Sequence, residues 1–390
     1  MDLASFEWLL SEPGQHLLRR VCAEPCADAL ALGAALRKEG YAGAHVAAAM
    51  TQAELRGRAE PKFGPSAARM FFTPDGLEQA TRLTVSRHRA ARIALAATTM
   101  VDLGCGIGGD LVAAAEAGLT VVGVDTDPVR VAVARANLEA LGLGGAVAER
   151  DATTLDLAPF DVAFADPARR GPRGRTFDAG EWTPPWPFVA SLLERDSCVK
   201  VAPGIPHSLI PDGVEAEWVS DLGEVKEAAL WSGRLAIERR RATVIGHHGL
   251  ATLTDGDPST RDVADMGSFL YEPDGAVIRA GLVGAVAAGV GGALLDPKIA
   301  YVTSADPFTT PFARAYQVLE ELPFREKQLR AALRERGVGR LTIKKRGVDV
   351  VPEHLRQRLA LHGDEEATIV LTRAGGHGRC WSVRPLEVVG

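Results

Sequence analysis

Cysteine is scarce and poorly spaced for its structural uses. The five cysteines, Cys22, Cys26, Cys105, Cys198 and Cys380, form no CxxC pair. That argues against a zinc ribbon or a disulfide framework and leaves reduced thiols as the expectation. The start, MDLASFEWLLSEPG, carries acidic residues and no basic n-region, so it does not read as a secretory signal. No apolar run approaches the length of about 20 residues that a bilayer demands. One uncharged stretch, Ala280 to Leu295, is short and glycine-rich and reads as a buried helix or a strand–turn pair, so no membrane partner is expected. A net charge of −6 excludes a uniformly basic nucleic-acid binder, though not a local basic face. His207, His247, His248 and His377 fit no metal-ligand spacing, and no metal is expected. Internal repeats and low-complexity segments are missing as well. What remains is ordinary globular composition, 46% apolar and 24% charged, over 390 residues, enough for two or three domains of a cytoplasmic protein.

Residues 1–95 lack strand alternation and are dense in alanine, leucine and arginine, with breaks at Pro25, Gly40 and Pro61. This predicts a helical N-terminal domain of four or five helices. Its last part, MFFTPDGLEQATRLTVSRHRAARIAL, is aromatic at Phe71 and Phe72 and reads either as a docking helix or as a lid over the next domain. Over residues 96–245 apolar strands (TMVDLG, LTVVGVD, GAVAERD, DVAFADP, SCVKVAP) alternate with helices, which indicates a parallel sheet covered on both faces. EAEWVSDLGEVKEAALWSG and RRATVIG follow without a full helix between them and read as two closing strands, one antiparallel to its neighbour. Residues 246–322 form a loop- and strand-rich connecting region. Residues 323–390 read as a small α+β module: helix, LTIKKRG strand, helix, ATIVLTR strand.

The stretch VDLGCGIGGD, Val101 to Asp110, has the form of a nucleotide-type cofactor loop. Its glycines permit a sharp turn and close ligand approach, and the following helix directs its N–H groups and positive end at that ligand. Gly104, Gly106 and Gly109 also satisfy G-x-G-x-x-G, with Asp125 about 20 residues on, so a dinucleotide fits equally well. Three acids break the tie. Asp102 lies inside the strand, where its carboxylate would repel a pyrophosphate but hold an amino-acid ammonium. Asp125 ends the second strand and is placed to accept from both ribose hydroxyls. Asp151 ends the third and can accept from an adenine amino group, with Ala152 supplying a backbone donor.

VDLGCGIGGD, GVDTDPVRVAVARANL, ERDA and FADPARR, in this order and spacing, resemble the class I S-adenosylmethionine (AdoMet)-dependent methyltransferases. The CGIGGD and DTDP details most resemble the trimethylguanosine-synthase group of RNA methyltransferases. The C-terminal module resembles a THUMP-like domain, an RNA-binding appendage. The resemblance implies a Rossmann-like seven-stranded sheet whose parallel strands end in a hairpin, unlike that of dehydrogenases. It also implies AdoMet as cofactor, held by Asp102, Gly104, Cys105, Gly106, Gly108, Asp125, Thr126, Asp151, Ala152 and Asp166.

FADPARRG places Asp166 and Pro167 beyond the carboxyl end of a strand, where open α/β sheets present ligands. In the family's amino-methylating members this spot carries an acid or amide, two prolines and an aromatic. The carboxylate and a proline carbonyl there aim the target amine. Here the tetrad is altered, with Ala168 for the second proline and Arg169 for the aromatic, so that Asp166, Pro167 and Arg169 are the catalytic candidates. Phe177, Trp182 and Trp186 could stack a base, and Arg169, Arg170, Arg173 and Arg175 could grip phosphate or stack through their guanidinium planes. A DPPR-like tetrad also occurs in uracil-C5 RNA methyltransferases, but these need a cysteine near the end of the fifth strand. Cys198 stands at that strand's start and points into the sheet. Lys200 and Pro203 are better placed to line an acceptor pocket.

Between Leu322 and Arg358 stand eleven lysines and arginines against four acids. Lys344, Lys345 and Arg346 leave a strand into the turn at Gly347, a good place to meet a phosphate backbone. The same spacing also suits i,i+4 pairs with glutamates on a solvated helix. The expectation is an AdoMet-dependent methyltransferase that modifies a nitrogen of an RNA nucleotide. Two alternatives stay open: an RNA-binding protein that keeps AdoMet only as a ligand, and a small-molecule or protein methyltransferase.

Overall fold

A computed structural model describes residues 1–23, 29–167, 170–171, 174–175, 185–247 and 249–386, the side chains of 170, 171, 174 and 175 excepted. Its contacts divide the chain into two units: Met1–Val214 with Ala229–Ile237, and Glu215–Ala228 with Glu238–Gly390.

The first unit opens with six helices: α1 (Leu3–Leu10), α2 (Glu12–Ala23), α3 (Ala29–Lys38), α4 (Gly43–Phe63), α5 (Pro74–Gln79) and α6 (Leu83–Ala94). Side-chain caps start three of them, Ser11 ahead of α2 among these. Asp2 accepts from the Ser5 N–H at 2.8 Å and Thr73 from the Gly76 N–H at 3.0 Å. Pro74 sits in the first turn of α5, where its missing N–H costs nothing. The apolar faces of these helices form no core of their own. Phe6, Leu9, Phe63 and Phe72 share one buried cluster with Ile107, Leu111 and Val133 of the following region.

That region alternates strands and helices: β1 (Thr99–Leu103), α7 (Gly109–Glu116), β2 (Thr120–Asp125), α8 (Pro128–Leu141), β3 (Ala146–Glu149) and β4 (Val162–Ala165). Two short strands, β5 (Arg170–Gly171) and β6 (Gly174–Arg175), then pair with each other before α9 (Trp186–Leu192) and β7 (Ser197–Val201). The long strands lie parallel in the order β3-β2-β1-β4-β7. β1 is central, and Met100 to Leu103 are all buried, which is why MVDL is apolar but for Asp102. Successive connections run from β1 through β2 to β3, and β4 then returns to the other side of β1. The crevice at that reversal, beyond the strands' carboxyl ends, is where such sheets bind ligands.

In the second unit the stretch expected as one closing strand is two, β8 (Glu215–Asp221) and β9 (Glu224–Ser232). Leu222 and Gly223 between them have φ 53° and 80°. Two left-handed residues in a two-residue loop are the mark of a type I′ hairpin. The last four residues of β9, from Ala229, belong to the first unit. β10 (Arg240–Gly246) runs parallel to β8 and antiparallel to β11 (Gly249–Thr254). The closing strands therefore number more than the two expected.

The rest of the second unit carries β12 (Phe269–Pro273), α10 (Gly275–Ala280), α11 (Val283–Gly289), β13 (Ala293–Asp296), β14 (Ile299–Ser304) and β15 (Ala313–Leu322). Next come α12 (Glu326–Glu335), β16 (Val338–Arg346), α13 (Pro352–Leu359), β17 (Glu365–Ala374) and β18 (His377–Pro385). These strands make one sheet in the order β13-β14-β12-β15-β18-β17-β16. β16 and β17 are parallel and joined through α13, the βαβ arrangement expected of the C-terminal module. Leu329 and Leu333 of α12 and Leu355 and Leu359 of α13 cover Leu341, Ile343, Ile369 and Leu371 on one face of the sheet. The uncharged Ala280–Leu295 stretch contains both α11 and the start of β13. Among the described residues, no helix is long and apolar enough to cross a membrane.

Candidate active site

The glycine turn after β1 keeps its shape through backbone conformations that side chains resist. Gly104, Gly106 and Gly108 have φ 93°, 55° and 81°. Gly104 and Cys105 N–H groups both donate to the Val124 carbonyl at 2.9 Å, tying the turn to the end of β2. Behind it Gly123 must lack a side chain, since a Cβ there would lie 2.4 Å from Leu111 Cδ1 and 2.9 Å from Cys105 Sγ. Burial pushes the Cys105 thiol up, so it packs rather than reacts.

A cavity of about 520 Å³ opens over this turn, within the range of ~300–1,000 Å³ usual for small-molecule sites. The predicted residues Asp102, Gly104, Cys105, Gly106, Asp125, Thr126, Asp151, Ala152 and Asp166 line it together. Gly108 stands one step back, as the N-cap of α7. Pro167 is buried at the end of β4, and Trp186 is half-buried at the start of α9. Arg169, Arg173, Phe177 and Trp182 lie outside the described residues, as does the Arg170 side chain.

Asp102 is 2% exposed, and its acid is held well above the usual carboxylate range. Burial is the main cause, followed by the nearby carboxylates of Asp110 and Asp166. The Arg89 cation opposes them. Asp125 makes bonds that its expected ribose role did not anticipate. Its Oδ2 accepts from the Gly106 N–H at 2.9 Å and its Oδ1 from the Asp127 N–H at 3.0 Å, so the carboxylate bridges the turn and α8. Lone pairs remain on both oxygens for a ligand. Asp151 accepts from the Thr153 N–H at 2.9 Å and hydroxyl at 2.8 Å through Oδ1, which lowers its pKa.

Asp166 is joined to Lys200, whose Nζ lies 2.5 Å from Oδ2 and also donates to Thr81 Oγ1 at 3.0 Å. Lys200 thus reaches the cavity only through Asp166 and Thr81, both of which line it. Thr81 belongs to the 70–95 segment, whose Gly76, Gln79 and Ala80 also line the cavity. The segment therefore both docks and forms a rim. Buried amides pin it. Asn137 accepts from the Phe71 N–H at 2.6 Å and donates to the carbonyls of Phe71 at 3.1 Å and Ile107 at 2.8 Å. Gln52 bonds both backbone groups of Phe72. Gly76 is packed so tightly that a Cβ would meet Ile107 Cγ2 at 2.3 Å.

Arg89 was missed from the sequence. It is 3% exposed, pairs with Asp110 and lies 4.6 Å above the Phe164 ring. A signal existed, because Arg89 falls on the buried stripe Leu83, Ser86, Ala90, Ile93 of α6, where a cation requires a partner.

The Lys344–Lys345–Arg346 run is split by the alternation of β16. Lys344 donates to Glu272 Oε2 at 3.0 Å, and Arg346 lies 4.0 Å from Glu272 Oε1, while Lys345 is exposed. Much of the remaining basic surface is paired too, Arg336 with Glu320, Arg340 with Glu366 and Arg358 with Glu326. Of the three, Lys345 faces outward, while Lys344 and Arg346 share the Glu272 carboxylate.

Comparison with known proteins places methyltransferases around this chain. A methyltransferase-domain model matches residues 100–168, a THUMP-domain-like model residues 313–385 and a domain of unknown function residues 2–59. An uncharacterized S-adenosylmethionine-dependent methyltransferase of Mycobacterium tuberculosis H37Rv, Rv3037c, is 39% identical over 336 residues. The match covers 82% of this chain and 91% of that protein. Its counterpart in strain CDC 1551, MT3122, gives the same figures. A crystal structure of a candidate methyltransferase from Porphyromonas gingivalis W83 superposes with a TM-score of 0.73 at 22% identity, over 99% of this chain and 98% of that one. It shares the fold.

Proposed function

Because the chain belongs to the S-adenosylmethionine-dependent methyltransferases, we propose that it methylates a nitrogen of an RNA nucleotide, with Asp166 orienting the acceptor. The cofactor, when bound, supplies a methyl group on a positively charged sulfur. The cavity's donor set fits it: a buried acid short of cations for the ammonium, and glycines that leave the backbone open. Asp102 takes the ammonium charge, Asp125 the ribose hydroxyls, and Asp151 with the Ala152 backbone the adenine edge.

Acceleration of methyl transfer rests on alignment, so the acceptor side needs few groups. Asp166 accepts an N–H of the target nitrogen, and the Pro167 carbonyl can accept a second, which aims the lone pair into the cavity. Lys200 fixes the Asp166 carboxyl while Thr81 holds Lys200. The observation that carries this reading is the Asp166–Lys200 pair at the rim of the cofactor cavity, beyond the carboxyl end of β4. RNA as substrate is supported by the THUMP-like match and by the cations gathered after Leu322. Nucleoside mass spectrometry of RNA from cells with and without the gene tests it. One methylated nucleoside should disappear with the gene and return with the wild-type chain but not with D166A. An unchanged profile overturns the RNA reading.

A further inference from the structure

The sheet of the second unit carries a polar cluster on the face away from α12 and α13. Glu272 of β12 is its centre. It accepts from the Tyr316 hydroxyl at 3.1 Å and from Lys344 at 3.0 Å, with Arg346 4.0 Å away. The Arg346 guanidinium lies 5.4 Å over the Tyr301 ring, and that of Arg314 5.8 Å over Tyr316. Two cations thus share one carboxylate, with Arg314 beside the tyrosine that donates to it.

The cluster is also incomplete. Among the described residues, the Arg346 Nε and the Thr372 hydroxyl are buried with no hydrogen-bond partner, and the buried Tyr301 hydroxyl has only the Arg346 guanidinium beside it. Thr372 is the strand-register partner of Arg346, and the Tyr301 ring lies under the same guanidinium, so this part of the cluster centres on Arg346. Tyr301 and Thr372 are 1% and 0% exposed. Leaving such groups unsatisfied is costly, about 1–3 kcal/mol each in general. Burial, then Glu272, pushes the Tyr301 hydroxyl up to about 12 and raises Tyr316 as well, so both stay protonated donors at neutral pH. Lys344 and Arg346 side chains keep 31% exposure each, which leaves a way in.

We propose that this cluster is a binding site for a single phosphate group, held by Arg346, Lys344, Tyr301 and Thr372. Every unsatisfied atom in it donates or can donate, and the cations outnumber Glu272, so the missing ligand is an anion. Donors spread over three strands suit the several oxygens of a phosphate better than the flat pair of a carboxylate. Glu272 shapes the site by fixing Lys344 and Tyr316. Glu272 and Tyr301 both precede residues 313–385, so the THUMP-like match does not span the cluster. The proposal does not depend on RNA being the methyl acceptor.

Phosphorus NMR of inorganic phosphate with the full chain tests it. Wild-type protein at millimolar phosphate should broaden the resonance. R346Q and Y301F should each weaken the effect by about tenfold or more, while K345Q, on the exposed side of the same strand, leaves it intact. Y301F removes only one oxygen, so its unfolding midpoint shows whether a lost signal reflects the site or the fold. Broadening that is missing in the wild type, or equal in all four proteins, overturns the proposal. A second arm compares oligoribonucleotides with and without a 5′-phosphate. Preference for the phosphorylated form identifies an RNA end as the source, and indifference with intact phosphate binding identifies a free phosphate. Loss of RNA methylation in the gene experiment would not alter either outcome.

Discussion

The two units hold buried charge of opposite imbalance. Around the glycine turn, Asp102, Asp110, Asp125, Asp151 and Asp166 stand among Arg89, Arg130, Arg150 and Lys200, so acids are in slight excess, and the deepest acid is pushed toward its neutral form. Around Arg346 the cations are in excess and Glu272 stands alone. A folded protein tolerates such surpluses at ligand sites, and the sign of each surplus indicates what is to be bound. The first calls for a cation, as an amino-acid ammonium is; the second calls for an anion. The fastenings differ as well. Buried amides tie the cofactor cavity together, whereas half-exposed ion pairs such as Arg336–Glu320 tie down the C-terminal module.

The largest effect that would break this comparison lies at Asp102. D102A should raise the Kd of AdoMet by about 100-fold, roughly 2.7 kcal/mol, in calorimetry. Binding of 5′-methylthioadenosine, which has no ammonium, should be spared. Equal losses for both ligands would mean that Asp102 supports the loop rather than the charge. Asn137→Ala should cost roughly 3 kcal/mol of stability in denaturant titration, because three buried backbone groups lose their partner. Loss below about 1 kcal/mol would show that the clamp is not a fastening.

The pH dependence follows from the raised acid. Without cofactor, folded Asp102 keeps its proton at pH values where the unfolded chain has lost it, so its contribution to stability falls as pH rises through that interval. AdoMet affinity should move the other way. Below the raised pKa it should climb by about tenfold per pH unit, then level off. D102N should flatten both trends, and a slope that survives in D102N assigns the proton elsewhere. The smallest effect is expected at Arg336, whose removal should change stability by less than about 1 kcal/mol, since both partners of its pair are exposed by more than a third.

The cavity over the glycine turn was largely legible because its parts are local. A glycine turn and acids at strand ends are read from short windows, and Asp102, Asp125, Asp151 and Asp166 do line one cavity. Partnerships across long separations were not legible. Nothing around Lys344 announces Glu272, and nothing around Asn137 in α8 points to Phe71; each pair meets only through the fold. The β8–β9 hairpin was hidden because leucine rarely takes positive φ, so Leu222 gave no turn signal and Gly223 only a weak one. The alternation that separates Lys345 from Lys344 and Arg346 was present in the strand pattern, but the charge count obscured it.

The way Gly76, Thr81, Gln52 and Asn137 bind the first ninety-odd residues to the sheet bears on how this enzyme can be cut. A fragment beginning at residue 96 would bare Ile107 and Leu111, leave Asn137 without Phe71 and strip Thr81 from Lys200. The helical segment is therefore no detachable accessory, and protein expressed without it should be insoluble or unable to retain cofactor.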